Sequence, residues 1–231
     1  MNRLKLFFLL FLCTTLLPAQ NVADMFTTMP KQMVPYLTGE ICQRLVELYN
    51  ARETTKTETI FGDSIGIEQL TDDFLSIQLS QARRMQMKLL PVNDNDTILC
   101  VVTTYYGPEP ESTLLYFNRQ WQPIMMEGHL SGFNPDMLLA CPADMSLVEY
   151  EELRSLLDPM LLAMHLDAES TDLEVTLSFP VANRENREKL LLIVKPCRLS
   201  WQKNRNEFLG SQKRNTTFVE RNTIINQIQT L

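Results

Sequence analysis

The sequence predicts an α+β fold of two tandem repeats, each a helical segment packed on a roughly four-stranded antiparallel sheet. Three observations predict it. Strand-like runs follow one another across short polar turns, which suit hairpins, whereas parallel crossovers need a dozen or more residues. A stretch with helical periodicity precedes each set of strands. Finally, LTDDFLSIQLS (Leu70 to Ser80) is echoed by LLDPMLLAMHLD (Leu156 to Asp167), and each copy leads into a strand-like run ending in Pro-Val.

The chain opens with Arg3 and Lys5, followed by the apolar run LFFLLFLCTTLL. That is the charged and apolar pair of regions of a secretory signal peptide, too short to span a bilayer comfortably. Pro18-Ala19 offers a small residue for cleavage near Ala19-Gln20. The competing reading is a retained anchor; lipidation at Cys13 is disfavoured because Leu12, not a small residue, precedes it. Residues 1–19 are therefore expected to be a signal peptide. The mature chain is expected to be secreted or periplasmic, in the cell envelope, with no transmembrane segment. Losing Arg3 and Lys5 and no acid moves the formal charge from −7 to −9. An acidic chain with scattered Lys and Arg lacks the electrostatic footprint for phosphates, so no nucleic-acid partner is expected.

The first repeat spans residues 20–129. MPKQMVPYLT, punctuated by Pro30 and Pro35, reads as an irregular lead-in. GEICQRLVELYNARE places Ile41, Leu45, Leu48 and Tyr49 at helical spacing. Polar TTKTET breaks that helix, a short TIF leads into the tight turn GDSIG, and the second half of LTDDFLSIQLS alternates as a strand. RRMQMKLLPV follows as a half-buried strand with Met85, Met87 and Leu89 on one side. NDND is a turn, TILCVVTTYY a buried strand, GPEPES a loop and TLLYFNRQW a fourth strand.

The second repeat, residues 130–209, runs through the same order. Ser146 caps SLVEYEELRSLL, with Glu149 three residues on. LLAMHLD and DLEVTLSFPV are the first two strands; NREN reads as a charged turn, KLLLIVKP as the third strand and RLSWQKNRNEF as the fourth. Met85 to Leu89 aligns with Leu173 to Leu177 in inside/outside parity. Residues 210–231 form a polar C-terminal tail. Cys42, Cys100, Cys141 and Cys197 remain after cleavage, without any CxxC pair, and permit two disulfides in three connectivities. Whether they form stays open.

MPKQMVPYLT, LTDDFLSIQLS with MQMKLLPV, and ESTLLYFNRQWQPI together resemble a domain-of-unknown-function family of secreted Bacteroidales proteins. The resemblance covers most of the mature chain and carries no catalytic residue. Where that family tends to have Leu-Gly-Gly before the serine of the tight loop, this chain has Ile60-Phe61-Gly62-Asp63-Ser64. The helix-then-four-strands order, twice, is also similar to tandem-repeat folds of the β-lactamase-inhibitor-protein type, a topological analogy that implies no function.

IFGDSIG matches the G-x-S-x-G pattern, and PVND imitates a second block of GDSL-type esterases. A serine hydrolase centred on Ser64 would need a histidine base and an orienting carboxylate. Only His129 and His165 are present, and the positions three before them are Met126 and Leu162 rather than Asp. Pro91 replaces the glycine of the imitated block and has no N–H for an oxyanion. NDND lacks the glycine and bidentate Glu of a calcium loop; Glu109 and Glu111, beside Pro108 and Pro110, are expected to project into water; His165 has no ligand at metal spacing. No catalytic residue, cofactor or metal is therefore assigned. The expected role is a non-enzymatic secreted or envelope protein that binds a protein or surface partner through exposed sheet faces. Tyr116, Trp121 and Trp201 are the expected anchors, because Tyr116 has the opposite strand parity to Phe117. The serine hydrolase is the alternative.

Overall fold

The computed structural model describes residues 21–53, 57–58, 64–94, 96–125, 130, 133–181 and 183–210. The expected signal peptide, most of the tight loop before Ser64, His129 and the tail lie outside the described residues. Helix α1 (Val22–Thr27) starts at Asn21, whose side chain accepts the Asp24 N–H while the Asp24 carboxylate accepts the Asn21 N–H, a reciprocal capping box. Helix α2 (Gly39–Asn50) starts at Thr38, whose side chain accepts the Ile41 N–H. The lead-in between them is a series of turns, as its prolines dictate.

Strands β1 (Thr57–Glu58), β2 (Ser64–Leu70), β3 (Phe74–Ser80), β4 (Arg83–Pro91), β5 (Thr97–Tyr106) and β6 (Pro110–Phe117) form one antiparallel meander in sequence order. The sheet thus has the expected four strands preceded by two more. SIGIEQL, expected to begin in a tight turn, is strand β2, and it pairs with β3 across a register shift at Ile67/Gln69. On the first face of the sheet Ile65, Ile67, Ile77, Met85, Met87 and Leu99 pack against Val22, Met25 and Phe26 of α1 and Cys42 and Leu45 of α2.

After the 3₁₀ turn Pro135–Leu138 come α3 (Leu147–Ser155), β7 (Leu161–Leu166), β8 (Asp172–Ser178), α4 (Arg184–Ile193), β9 (Cys197–Gln202) and β10 (Glu207–Gly210). The second sheet has the order β10-β9-β8-β7, all antiparallel. β4 and β8 each hold the second place in a four-strand order, β3 to β6 and β7 to β10, consistent with two repeated units.

Two elements of the second unit differ from expectation. NREN and KLLLI form helix α4, not a turn and a strand. The apolar run Leu190 to Val194 mimics a buried strand, but the Asn183 side chain accepts the Asn186 N–H as a cap, and Arg184–Glu188 (2.9 Å) and Glu185–Lys189 (2.8 Å) pair one turn apart. Only Leu190 and Ile193 of the run are buried; Leu191 and Leu192 face solvent. RLSWQKNRNEF is two strands, β9 and β10, joined by a turn that ends at Asn206 with φ 54°, a left-handed conformation asparagine tolerates.

The two units share a core. Phe74, Leu90, Ile98, Cys100 and Val102, from the second face of the first sheet, join Leu166, Leu173, Val175, Leu199 and Phe208 of the second sheet and Leu190 and Ile193 of α4. Strands β4 and β5 are consequently buried on both faces. The alternation predicted for β4 is present, but its polar side does not reach water: Gln86 is 3% and Lys88 1% exposed.

Candidate functional site

The second unit crosses the first on a polar seam. Edge strand β7 lies over the second face of the first sheet, and its free backbone donors must find partners there. The Leu166 N–H donates to Gln86 Oε1 (3.0 Å), and the Met164 N–H to Ser112 Oγ (2.9 Å). Gln86 uses its other end as well, its Nε2 donating to His165 Nδ1 at 3.0 Å, so the imidazole nitrogen facing the seam accepts. Lys88 donates from Nζ to the Ala168 carbonyl and to Asp73 Oδ2, both at 2.9 Å, with the Phe74 ring beneath. A buried ammonium with three such neighbours is compensated; with one removed it would not be.

At the ends of the units two ion pairs tie loops together. Arg187 of α4 binds Glu109 of the β5–β6 loop through two bonds, 2.6 and 3.0 Å. The guanidinium holds the Glu109 carboxyl below its ordinary value and also lies over the Phe179 ring. Lys203, in the β9–β10 turn, pairs with Asp94 in the β4–β5 turn.

Among the described residues nothing covers the outer face of the second sheet. His165, Asp167, Ala168, Asp172, Glu174 and Arg198 line a shallow depression of about 280 Å³ there. Arg198 lies 3.9 Å from both Asp172 and Glu174. The Glu169 N–H, followed by that of Ser170, donates to Asp167 and holds its carboxyl low, so this acid serves its own turn. Among the described residues no three of His, Cys, Asp and Glu gather as a metal site.

The expected aromatic anchors are not on any open face, which corrects that assignment. Tyr116, Trp121 and Trp201 are 4%, 8% and 6% exposed. Tyr116 does occupy the opposite face from Phe117, as parity requires, but that face is covered by the second unit, and its ring centroid lies 6.1 Å from that of Trp201. Burial pushes its phenol well above the ordinary range. Trp201 donates from Nε1 to the Pro91 carbonyl at 2.8 Å, joining the two sheets. Trp121 adopts φ 59° in a loop where the Asn118 side chain accepts the N–H groups of Gln120 and Gln122. It thereby reaches the Met25 carbonyl (3.0 Å), in the last turn of α1, where helix carbonyls lack intrahelical donors. All three indoles and phenols act as internal fasteners.

Ser64 opens strand β2, exposed and paired in register with Glu58 of β1. It therefore stands at a strand's start rather than in the strand–turn–helix of a nucleophile elbow. His165 is exposed and belongs to the seam. The four cysteines among the described residues are free thiols: burial raises Cys42 to about 12 and Cys100 higher still, while Cys141 and Cys197 are half-buried. The sequence reading missed Gln86 and Lys88, because buried polar residues at alternate strand positions carry the same pattern as a solvated face, and Asp73, a half-exposed residue of the turn before β3. It also passed over Asp172, Glu174 and Arg198.

No helix among the described residues is long and apolar enough to cross a membrane. The fold and the seam define a doubled α+β protein in which one antiparallel sheet is covered on both faces and the other on one. The chain belongs to the DUF3256 family, described as a protein of unknown function, which matches residues 14–206. It is similar in fold to a solved domain of an uncharacterized protein from Porphyromonas gingivalis W83, with a TM-score of 0.68 and 21% identity, over 84% of this chain and 100% of that one. No curated protein matches the chain.

Proposed function

We propose that this is a non-enzymatic protein of the secreted or cell-envelope compartment that binds a protein or surface partner through the open face of its second sheet. One observation carries the reading. The apolar faces of both sheets are consumed internally, and the face left uncovered presents His165, Glu174 and Arg198 on rigid strands beside a shallow depression. A preorganised face loses little conformational freedom on binding. Its mixed charges suit a partner with complementary acidic and basic groups, which fix register and orientation more than raw affinity. The signal-peptide pattern of residues 1–19 supports the compartment.

The test is capture from the native envelope with wild-type protein and with Glu174→Arg/Arg198→Glu, a half-buried and an exposed position of the open face whose exchange keeps the net charge. A partner retained by the wild type and lost by the variant is expected. Equal capture by both would move the binding surface elsewhere. Covalent labelling of Ser64 by a fluorophosphonate probe would instead establish a hydrolase.

A further inference from the structure

A second uncovered surface is apolar. Helix α3 buries Leu153 but leaves Leu147 and Val148 61% and 70% exposed. With Glu151, Glu152 and Ser155 they line a groove of about 540 Å³. The neighbouring α4 adds the solvent-facing Leu191 and Leu192. An exposed apolar strip flanked by acids on a small protein asks for an occupant.

We propose that residues 211–231 of the same chain dock on the exposed face of α3. Polar on average, this segment nonetheless places Ile224, Ile225, Ile228 and Leu231 at the i, i+1, i+4, i+7 spacing of one helix face. Its charges complement the groove: Lys213, Arg214 and Arg221 outnumber the single acid Glu220, against Glu151 and Glu152.

The point of departure fits too. Gly210 ends β10 against Met137, close enough that a Cβ there would meet the methionine methyl. The adjacent Asp136 pairs with Arg154 in the last turn of α3 at 2.7 Å. The chain thus leaves the fold one 3₁₀ turn from the end of the groove. α3 is about 14 Å long at 1.5 Å per residue. Residues 211–223 reach about 40 Å when extended, so the apolar stripe covers the helix without strain. A second copy is a poorer occupant, because a two-fold contact through this face would bring Glu151 and Glu152 against their own equivalents.

The test uses full-length protein and tryptic cleavage after Arg221. Cleavage should be slow in the wild type. It should be at least about tenfold faster in Ile225→Glu/Ile228→Glu and, reciprocally, in Leu147→Glu/Val148→Glu, since cleavage tracks the undocked population. Unchanged circular dichroism and Tm would show the fold intact in both, as expected for exposed positions. Equal cleavage rates in all three proteins would overturn the proposal. So would a sedimenting dimer that Leu147→Glu/Val148→Glu dissolves and the tail variant does not, which would assign the face to a second copy.

Discussion

Two sheet faces of this molecule look alike in sequence and differ in fate. On β4, Gln86 and Lys88 alternate with Met85 and Met87; on β8, Glu174 and Thr176 alternate with Leu173 and Val175. Glu174 of β8 borders an open depression, whereas Gln86 and Lys88 of β4 lie beneath the other half of the protein. What separates them is the partner of each polar atom. Both ends of Gln86 and the ammonium of Lys88 meet groups of β7, of the turn after it, or Asp73. Among the described residues Glu174 meets Arg198 at 3.9 Å, and Thr176 donates to the Ala163 carbonyl of its own sheet. A buried polar group costs little when satisfied and a great deal when orphaned, so the first face tolerates almost no change and the second a wide range.

The largest break in this contrast should come at Lys88. Lys88→Glu sets a carboxylate against Asp73 and the Ala168 carbonyl, and equilibrium unfolding should show a loss of about 3–5 kcal/mol. Gln86→Leu keeps volume but strands the Leu166 N–H, for an expected loss of about 1–3 kcal/mol by urea denaturation.

At the rim the effect should be smaller and pH-dependent. Arg187 lowers the folded pKa of Glu109 below its unfolded value of 4.5. The pair's stabilisation is therefore complete above that value and lost as pH falls through the folded one. Glu109→Gln should remove about 1 kcal/mol at neutral pH and flatten the stability profile in that acid window. Smallest of all, Glu174→Lys on the open face should stay within about 0.5 kcal/mol of the wild type.

The elements were legible where local chemistry and period agreed. Thr38 caps a helix that the spacing of Ile41, Leu45 and Leu48 already indicated, and Ser146, with Glu149 three residues on, caps the helix it announced. The strands of the first meander followed from alternation and short turns. α4 was misread because Leu190 to Ile193 is apolar on all sides, and the deciding signals, the Asn183 cap and two ion pairs one turn apart, are polar. The seam was illegible for a different reason. Parity separates the two faces of a strand but does not say which element covers each. Tyr116 was placed on the correct face and Trp201 on the correct strand, and both were taken for surface because nothing local records that one sheet is laid over the other.

The central claim is that edge strand β7 is closed by side chains of the first sheet, and amide hydrogen exchange at Leu166 tests it most directly. An uncovered edge N–H exchanges with the ease of a frayed strand, whereas one bonded to buried Gln86 opens only with the seam. The Leu166 amide should therefore exchange as slowly as the ladder amides of β8, and Gln86→Ala should speed Leu166 while leaving the β8 ladder slow. Rapid exchange at Leu166 in the wild type, unchanged by Gln86→Ala, would contradict the account.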